Sequence, residues 1–427
     1  MLPSQSPRKC LALLRILARR KWMFPLSGLP LVVCAADPAW RHLSTAKGDL
    51  PQPWEATEQT AAVVGDFDRD GVNDFVVASR KVAPAVVWYR RTPKGWNRHV
   101  IEPAMLRVEA GGAVCDIDGD GDLDLLFGGD GQSDEMWWWE NPFPRFDPDV
   151  AWTRHQVKKG GAKQHHDQAF TDVLGTGRPQ LIYWNQKAKT LFLAEIPARP
   201  REVTNWPATA IFVGGAEPGG GYQTLEGLDV VDVDGDGKVD VLAGSHWFKH
   251  RGGMRFDPIR VAPIGGRIMA GRFKPGRTAQ IVISPGDGNG PLRWYECTGH
   301  PENPADWRGR TLLDRDMIHG HALQVADIDG DGHLDIFAAE MAKWGREAKP
   351  DNPGATAWIC YGDGAGHFRP TIFQQGMGFH ETRVADLDGD GRMDVLSKPY
   401  TWEAPRIDVW LQGPTPSGAG KEQSKRP

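Results

Sequence analysis

Asp66-Phe67-Asp68-Arg69-Asp70-Gly71-Val72-Asn73-Asp74 decides the reading of this chain, because the same pattern returns four more times. Asp-x-Asp-x-Asp-Gly-x-x-Asp recurs at Asp116–Asp124, Asp232–Asp240, Asp327–Asp335 and Asp386–Asp394. Each copy follows an apolar run such as Val63-Val64 or Leu323–Ala326 and precedes another, such as Phe75-Val76-Val77 or Leu125-Leu126-Phe127. Two degenerate copies fill the wide gaps. Asp172-Val173-Leu174-Gly175-Thr176-Gly177 precedes Leu181-Ile182-Tyr183, and Gly271-Arg272-Phe273-Lys274-Pro275-Gly276 precedes Ile281-Val282-Ile283. Successive copies start 39 to 60 residues apart, the length of one four-stranded propeller blade. The expected fold is all-β: a seven-bladed β-propeller with calcium-binding loops between the first and second strands of five blades.

The loop chemistry supports that assignment. Alternating carboxylates, a glycine for the sharp turn, a backbone carbonyl and a last carboxylate are hard oxygen donors suited to Ca²⁺. The expected ligands are Asp66, Asp68, Asp70, Val72 (carbonyl) and Asp74 in the first loop, and Asp116, Asp118, Asp120, Asp122 and Asp124 in the second. Asp232, Asp234, Asp236, Lys238 and Asp240 form the third set, and Asp327, Asp329, Asp331, His333 and Asp335 the fourth. Asp386, Asp388, Asp390, Arg392 and Asp394 complete the five. No helical pattern flanks these loops, so they are not EF-hands.

Further strands recur within each period. A third strand carries aromatics at Val86–Tyr89, Met136–Trp139, Leu292–Tyr295, Trp358–Tyr361 and Ile407–Leu411, and an outer strand reads Trp-x-Arg-His at Trp96–His99 and Trp152–His155. After Leu411 no outer strand follows. The missing piece stands at the beginning, as Trp40-Arg41-His42-Leu43, which is expected to close the ring and leave no free sheet edge. The propeller is thus assigned to 37–412, with a disordered tail over 413–427.

Residues 1–36 differ in kind. Arg8, Lys9, Arg15, Arg19, Arg20 and Lys21 precede an apolar stretch from Met23 to Val33 and small residues at Ala35 and Ala36. That order reads as an export signal, too short and too proline-interrupted to span a bilayer, and it places the mature protein outside the cytoplasm. Leu31-Val32-Val33-Cys34 is a poor lipid-anchor box. Without these six positive charges the formal charge falls from −5 to −11, which argues against nucleic acid as a partner. Cys115, Cys297 and Cys360 are no disulfide framework.

These repeats resemble the FG-GAP/VCBS family, best known from the integrin α-subunit propeller. The resemblance covers roughly residues 40–412 and implies the fold. It implies no particular activity.

A function is expected where the innermost strands begin, around the central channel. About six positions before the loops stand His166, Glu226, His321 and His380, a set suited to Zn²⁺ or another divalent transition metal. For any single histidine, capping an inter-blade core is the competing reading. His165 and His319 lie beside this set as candidate substrate contacts. The turns after the second strands carry Trp184, His246, Trp247, Glu340, Trp344 and Trp402, where aromatics beside polar groups suit a sugar. Lys398, Tyr400 and Glu381 are the candidate acid/base groups. His165-His166-Asp167, His319-Gly320-His321 and the Trp-x-Arg-His strands also resemble the propeller part of aldos-2-ulose dehydratases, which eliminate water from keto-sugars. The cupin domains that accompany it there are not read in this chain, and no catalytic residue is carried over. Three readings stay open: a metal-dependent carbohydrate lyase or dehydratase, a non-catalytic propeller that binds a glycan or a protein, and a purely structural envelope protein with an empty channel.

Overall fold

A computed structural model describes residues 37–214, 225–343 and 349–414. The export signal at 1–36, the tail beyond 414 and Trp344 lie outside the described residues.

The apolar runs on either side of each acidic loop form adjacent antiparallel strands, and seven four-stranded sheets result. Blade 1 is typical, with Gln59–Gly65 innermost, then Asp74–Ser79, Val86–Thr92 and Gly95–Glu102. The innermost strands of blades 2 to 7 are Ala113–Cys115, His165–Thr171, Leu228–Val231, Arg267–Gly271, Ala322–Ala326 and His380–Ala385. Each packs against the next, and that of blade 7 packs against that of blade 1, so the ring is closed. Blade 7 takes its outer strand from the other end of the chain: Trp40–Ser44 pairs antiparallel with Asp408–Gln412, from Trp40↔Gln412 to Ser44↔Asp408.

There is no single core. Seven apolar clusters each fill the seam between two neighbouring blades, because every sheet is covered on both faces. The third-strand aromatics sit in these seams. Trp88 and Trp139 pack between blades 1 and 2, Trp247 between 4 and 5, and Trp294 between 5 and 6. Burying such a ring removes roughly 150–250 Å² from water, the largest contribution any one side chain makes here.

Candidate functional site

Each acidic loop is built by its own backbone. The amide of the glycine after the third aspartate donates to the first aspartate in all five: Gly71 to Asp66 (2.9 Å), Gly121 to Asp116 (3.1 Å), Gly237 to Asp232 (2.9 Å), Gly332 to Asp327 (2.9 Å) and Gly391 to Asp386 (2.8 Å). These glycines have φ between 84° and 94°, which explains the residue type. The last aspartate faces inward and clamps loop to sheet. Asp124 accepts from the amides of Asn141 (2.9 Å) and Ile117 (2.9 Å), and Asp240, Asp335 and Asp394 repeat that pair. Asp74 keeps only the Arg91 amide, at 2.5 Å.

The loops carry oxygens with nothing to bind. One buried carboxylate oxygen of Asp68, Asp74, Asp122, Asp327 and Asp388 has no hydrogen-bond partner. Oxygens of Asp66, Asp68 and Asp70 lie within 4.8 Å of one another, as do those of Asp116, Asp118 and Asp124, and of Asp232, Asp234 and Asp240. Burial lifts Asp74, Asp335 and Asp394 to about 7 and Asp124 to about 8, and neighbouring loop carboxylates add to the rise. Burial lifts Asp240 only to about 6, opposed first by the His250 amide, then by Trp247 and the Val233 amide, and least by the Lys249 ammonium. Converging carboxylates with spare lone pairs fit a hard divalent cation.

At the opposite end of the innermost strands, side chains from five blades converge. His166 and Asp167 belong to blade 3, Glu226 to 4, Arg267 to 5, His321 to 6, and His380 and Glu381 to 7. His166 Nδ1 meets Asp167 Oδ2 at 2.7 Å, which leaves Nε2 free. That Nε2 lies 3.9 Å from Glu226 Oε2, and His321 Nε2 lies 3.1 Å from the same oxygen. Glu226 Oε1 is held by the Asp287 amide at 2.9 Å. Gly286 makes that approach possible, since a Cβ there would fall 1.9 Å from the same oxygen. His321 Nδ1 and Glu381 Oε1, 3.5 Å apart, are buried without hydrogen bonds. Ligand atoms of His166, Glu226 and His321 lie within 4.8 Å of one another, and so do those of His321, His380 and Glu381. Two imidazoles and a carboxylate around one point, with Asp167 orienting a ring from behind, fit a transition metal.

The floor beneath this cluster is ionic. Arg267 lies 2.5 Å from Asp167 Oδ1 and 3.4 Å from Glu381 Oε1, and Arg383 lies 3.0 Å from Glu381 Oε2. Asp167 and Glu381 sit at β-bulges with φ of 44° and 50°, a left-handed strain that breaks the alternation of their strands. Burial, the largest single influence, opposes ionisation of both carboxyls, but Arg267 together with His166 and the Gly227 amide at Asp167, and with Arg383 at Glu381, holds them below the usual carboxylate range. Burial would likewise depress His166, yet Asp167 raises it to about 10. Above the cluster opens a polar cavity of about 280 Å³ lined by Arg80, His166, Asp287, His321, His380 and Tyr400, among others. Below the floor, Asp167, Arg267 and Arg383 line a separate cavity of about 110 Å³.

Of the three candidate acid/base groups, only Tyr400 lines the upper cavity. Its ring lies 4.9 Å from that of His380, with the Arg80 guanidinium 5.6 Å from its centre, and burial raises its phenol above the ordinary value. Lys398 is buried behind His380, bonded to the Gln59 carbonyl at 2.9 Å and beside His380 Nδ1 at 3.2 Å; burial lowers it to about 7. Glu381 is spent on the arginines.

The expected substrate contacts need correction. Trp184 and Trp247 are fully buried in blade seams, the former donating to the Gly227 carbonyl, so neither offers a face to a sugar. His246 and Trp247 begin the strand His246–Gly252 instead of lying in a turn, and the His246 ring packs on Phe212. Glu340 is buried under Arg315 and the amides of Ile318 and Thr356. His165 is sealed beneath the strand, and burial pushes it to about 3. His319 ties the Asp287 carbonyl (2.7 Å) to Asp351 (3.0 Å), and Trp402 is half-buried outside the cavity lining. Sequence reasoning missed Arg80, Glu109 and Asp287, which line the upper cavity, and Arg267 beneath it, all of which stand outside the histidine-bearing windows.

The FG-GAP-like repeat family model matches residues 66–127 and 327–397. No curated protein matches the chain in sequence. Among solved structures, BBS1N in complex with ARL6DN superposes with a TM-score of 0.53 at 10% identity, covering 89% of this chain and 99% of that one. An Agrocybe aegerita lectin that recognises non-reducing terminal N-acetylglucosamine gives 0.46 at 17% identity, with 84% and 88% covered. A rhamnogalacturonan lyase gives 0.42 at 13%, with 84% and 74% covered. The first likeness is one of fold alone, and the other two are too loose to bear on function. Among the described residues no helix is long and apolar enough to cross a membrane. The chain is a seven-bladed β-propeller that carries FG-GAP-like repeats.

Proposed function

We propose that the acidic loops hold calcium as a structural ion, and that the channel mouth holds a divalent transition metal in an enzyme that cleaves a carbohydrate by elimination. The convergence of His166 Nε2, His321 Nε2 and Glu226 Oε2 beneath an open polar cavity carries the second part. When bound, such an ion supplies a positive centre that acidifies the hydrogen beside a sugar carbonyl or carboxylate.

The chain's own residues supply the rest. Asp167 fixes the His166 tautomer, and Arg267 fixes Asp167. Asp287 anchors Glu226 through its amide. Tyr400, at the cavity wall beside Arg80, is the group placed to exchange a proton with the substrate.

Elemental analysis of the purified protein tests this reading. One transition-metal ion per chain beside calcium is expected, lost on combined His166→Ala and His321→Ala with calcium retained. Keto-sugars or uronate-containing polysaccharides should develop ultraviolet absorbance from a new conjugated double bond, and the double variant should not produce it. Calcium without a second metal, together with no absorbance change across such a panel, would leave the glycan- or protein-binding propeller as the better reading.

A further inference from the structure

The five loops differ at one position of the facing strand. The residue preceding the amide that holds the last aspartate is Arg90 in blade 1, Glu140 in blade 2, Lys249 in blade 4, Tyr361 in blade 6 and Leu411 in blade 7. In blade 4 the Lys249 ammonium bonds to Asp234 and lies 3.0 Å from Asp236 Oδ2. Its side chain is only 6% exposed, and its nitrogen sits 5.4 Å from the centre of the fully buried Trp247 ring. The lysine is walled in on one side by the seam and on the other by the loop.

The other cations near these loops are different. Arg90, 2.5 Å from Asp68, has a side chain 39% exposed, Arg201, which bonds to Asp118, is 48% exposed, and Arg392, which bonds to Asp390 in the blade 7 loop, is 36% exposed. All three reach in from the surface and can turn back to water. Lys249 cannot leave without stranding a charge in the seam, and a divalent ion cannot enter beside it without strong repulsion. Tyr361 and Leu411 bring no charge to the loops of blades 6 and 7.

We infer that blade 4 carries its own cation: the Lys249 ammonium takes, against Asp234 and Asp236, the place that calcium takes in the loops of blades 6 and 7. Blade 4 therefore keeps its loop in order without metal. This inference rests on the calcium reading for the other loops.

The test counts calcium bound per full-length chain after dialysis, and follows hydrogen exchange at the Gly237 and Lys238 amides in excess chelator. Asp388→Asn, in blade 7, should lower the count by one, and Asp234→Asn should leave it unchanged. Lys249→Met, similar in shape but uncharged, should raise the count by one and speed exchange at the two amides at least tenfold in chelator. Lys249→Arg should behave as the parent does. A loss of one calcium in Asp234→Asn, or no gain in Lys249→Met while Asp388→Asn loses one, would overturn the inference. No loss in Asp388→Asn would defeat the calcium reading instead. The exchange measurement then decides alone, and unchanged protection in Lys249→Met would overturn the role of the ammonium. Should Lys249→Met not fold, the Asp234→Asn count carries the decision.

Discussion

Asp66 and Asp167 are the same residue under opposite regimes. Asp66 lies in a loop, and its oxygens are held by amides four and five residues on, those of Asp70 at 3.0 Å and Gly71 at 2.9 Å. Asp167 lies under the channel mouth, and apart from its neighbour His166 its partners come from afar: the Gly227 amide at 2.7 Å and Arg267 at 2.5 Å. The first arrangement is complete within nine residues and leaves charge to be neutralised from solution. The second exists only when blades 3, 4 and 5 stand side by side, and it neutralises its charge internally. The loops should therefore answer to ions in the medium, and the channel floor to substitutions within the chain.

Chelation is the strongest way to separate the two regions. With a Kd of about 10⁻⁴ M and about 1 mM calcium, each occupied loop stabilises by roughly 1.4 kcal/mol, and four loops by about 5–6 kcal/mol. Denaturant unfolding with and without chelator should show a loss of that order, reversed on readdition of calcium. Unchanged stability would mean that the loops stand without ions.

Arg267→Met attacks the other region. It leaves Asp167 and Glu381 buried without their shared cation, and a loss of about 3–5 kcal/mol is expected, the same with or without calcium. A calcium-dependent loss would join regions that the comparison keeps apart.

Stability against pH should run in opposite directions for the two regions. In calcium-free protein, Asp74, Asp335 and Asp394 titrate near 7 and Asp124 near 8, above the 3.8 of an unfolded aspartate. The folded state binds those protons more tightly, so their contribution is full below 3.8 and is lost as pH rises through about 7. Asp167 and Glu381 are shifted downward, so their contribution is present above the ordinary carboxylate range and is lost as acid protonates them. Melting temperatures of chelated protein should thus peak in mild acid, and calcium should flatten the fall toward neutrality. The smallest effect is expected of Gly391→Ala. Its φ of 84° strains an alanine but no atom lies in the way, so the cost should be about 1–2 kcal/mol by chemical denaturation.

What the sequence disclosed follows the same division. The loops are local, so spacing alone reveals seven periods, and the strand pairs around each loop follow from them. The ring of His166, Glu226, His321 and His380 is also periodic, being tied to a fixed distance from each loop. Glu381 reads as an acid/base group and Asp167 only as a neighbour of His166; their pairing with Arg267 escapes such reasoning because a bulge under each breaks the period of two that strand arguments use. Arg267 escapes it because its meaning lies 100 positions away. Trp184 and Trp247 misled because a tryptophan near a strand end looks the same whether it faces a ligand or a neighbouring blade.

The last strand to join the ring has a consequence for how the chain is made. His42 reaches Asp408 at 2.9 Å across 366 positions and stacks on Trp410 at 4.5 Å. At 5–20 residues per second, a ribosome needs roughly 20–70 s to deliver the partner that Trp40–Ser44 waits for. Throughout that interval the newborn chain holds an unmated ribbon at its front and a growing stack of blades behind it. The clasp shuts only once Asp408–Gln412 has been made, so chains terminated before that point have no fastened form in which to persist.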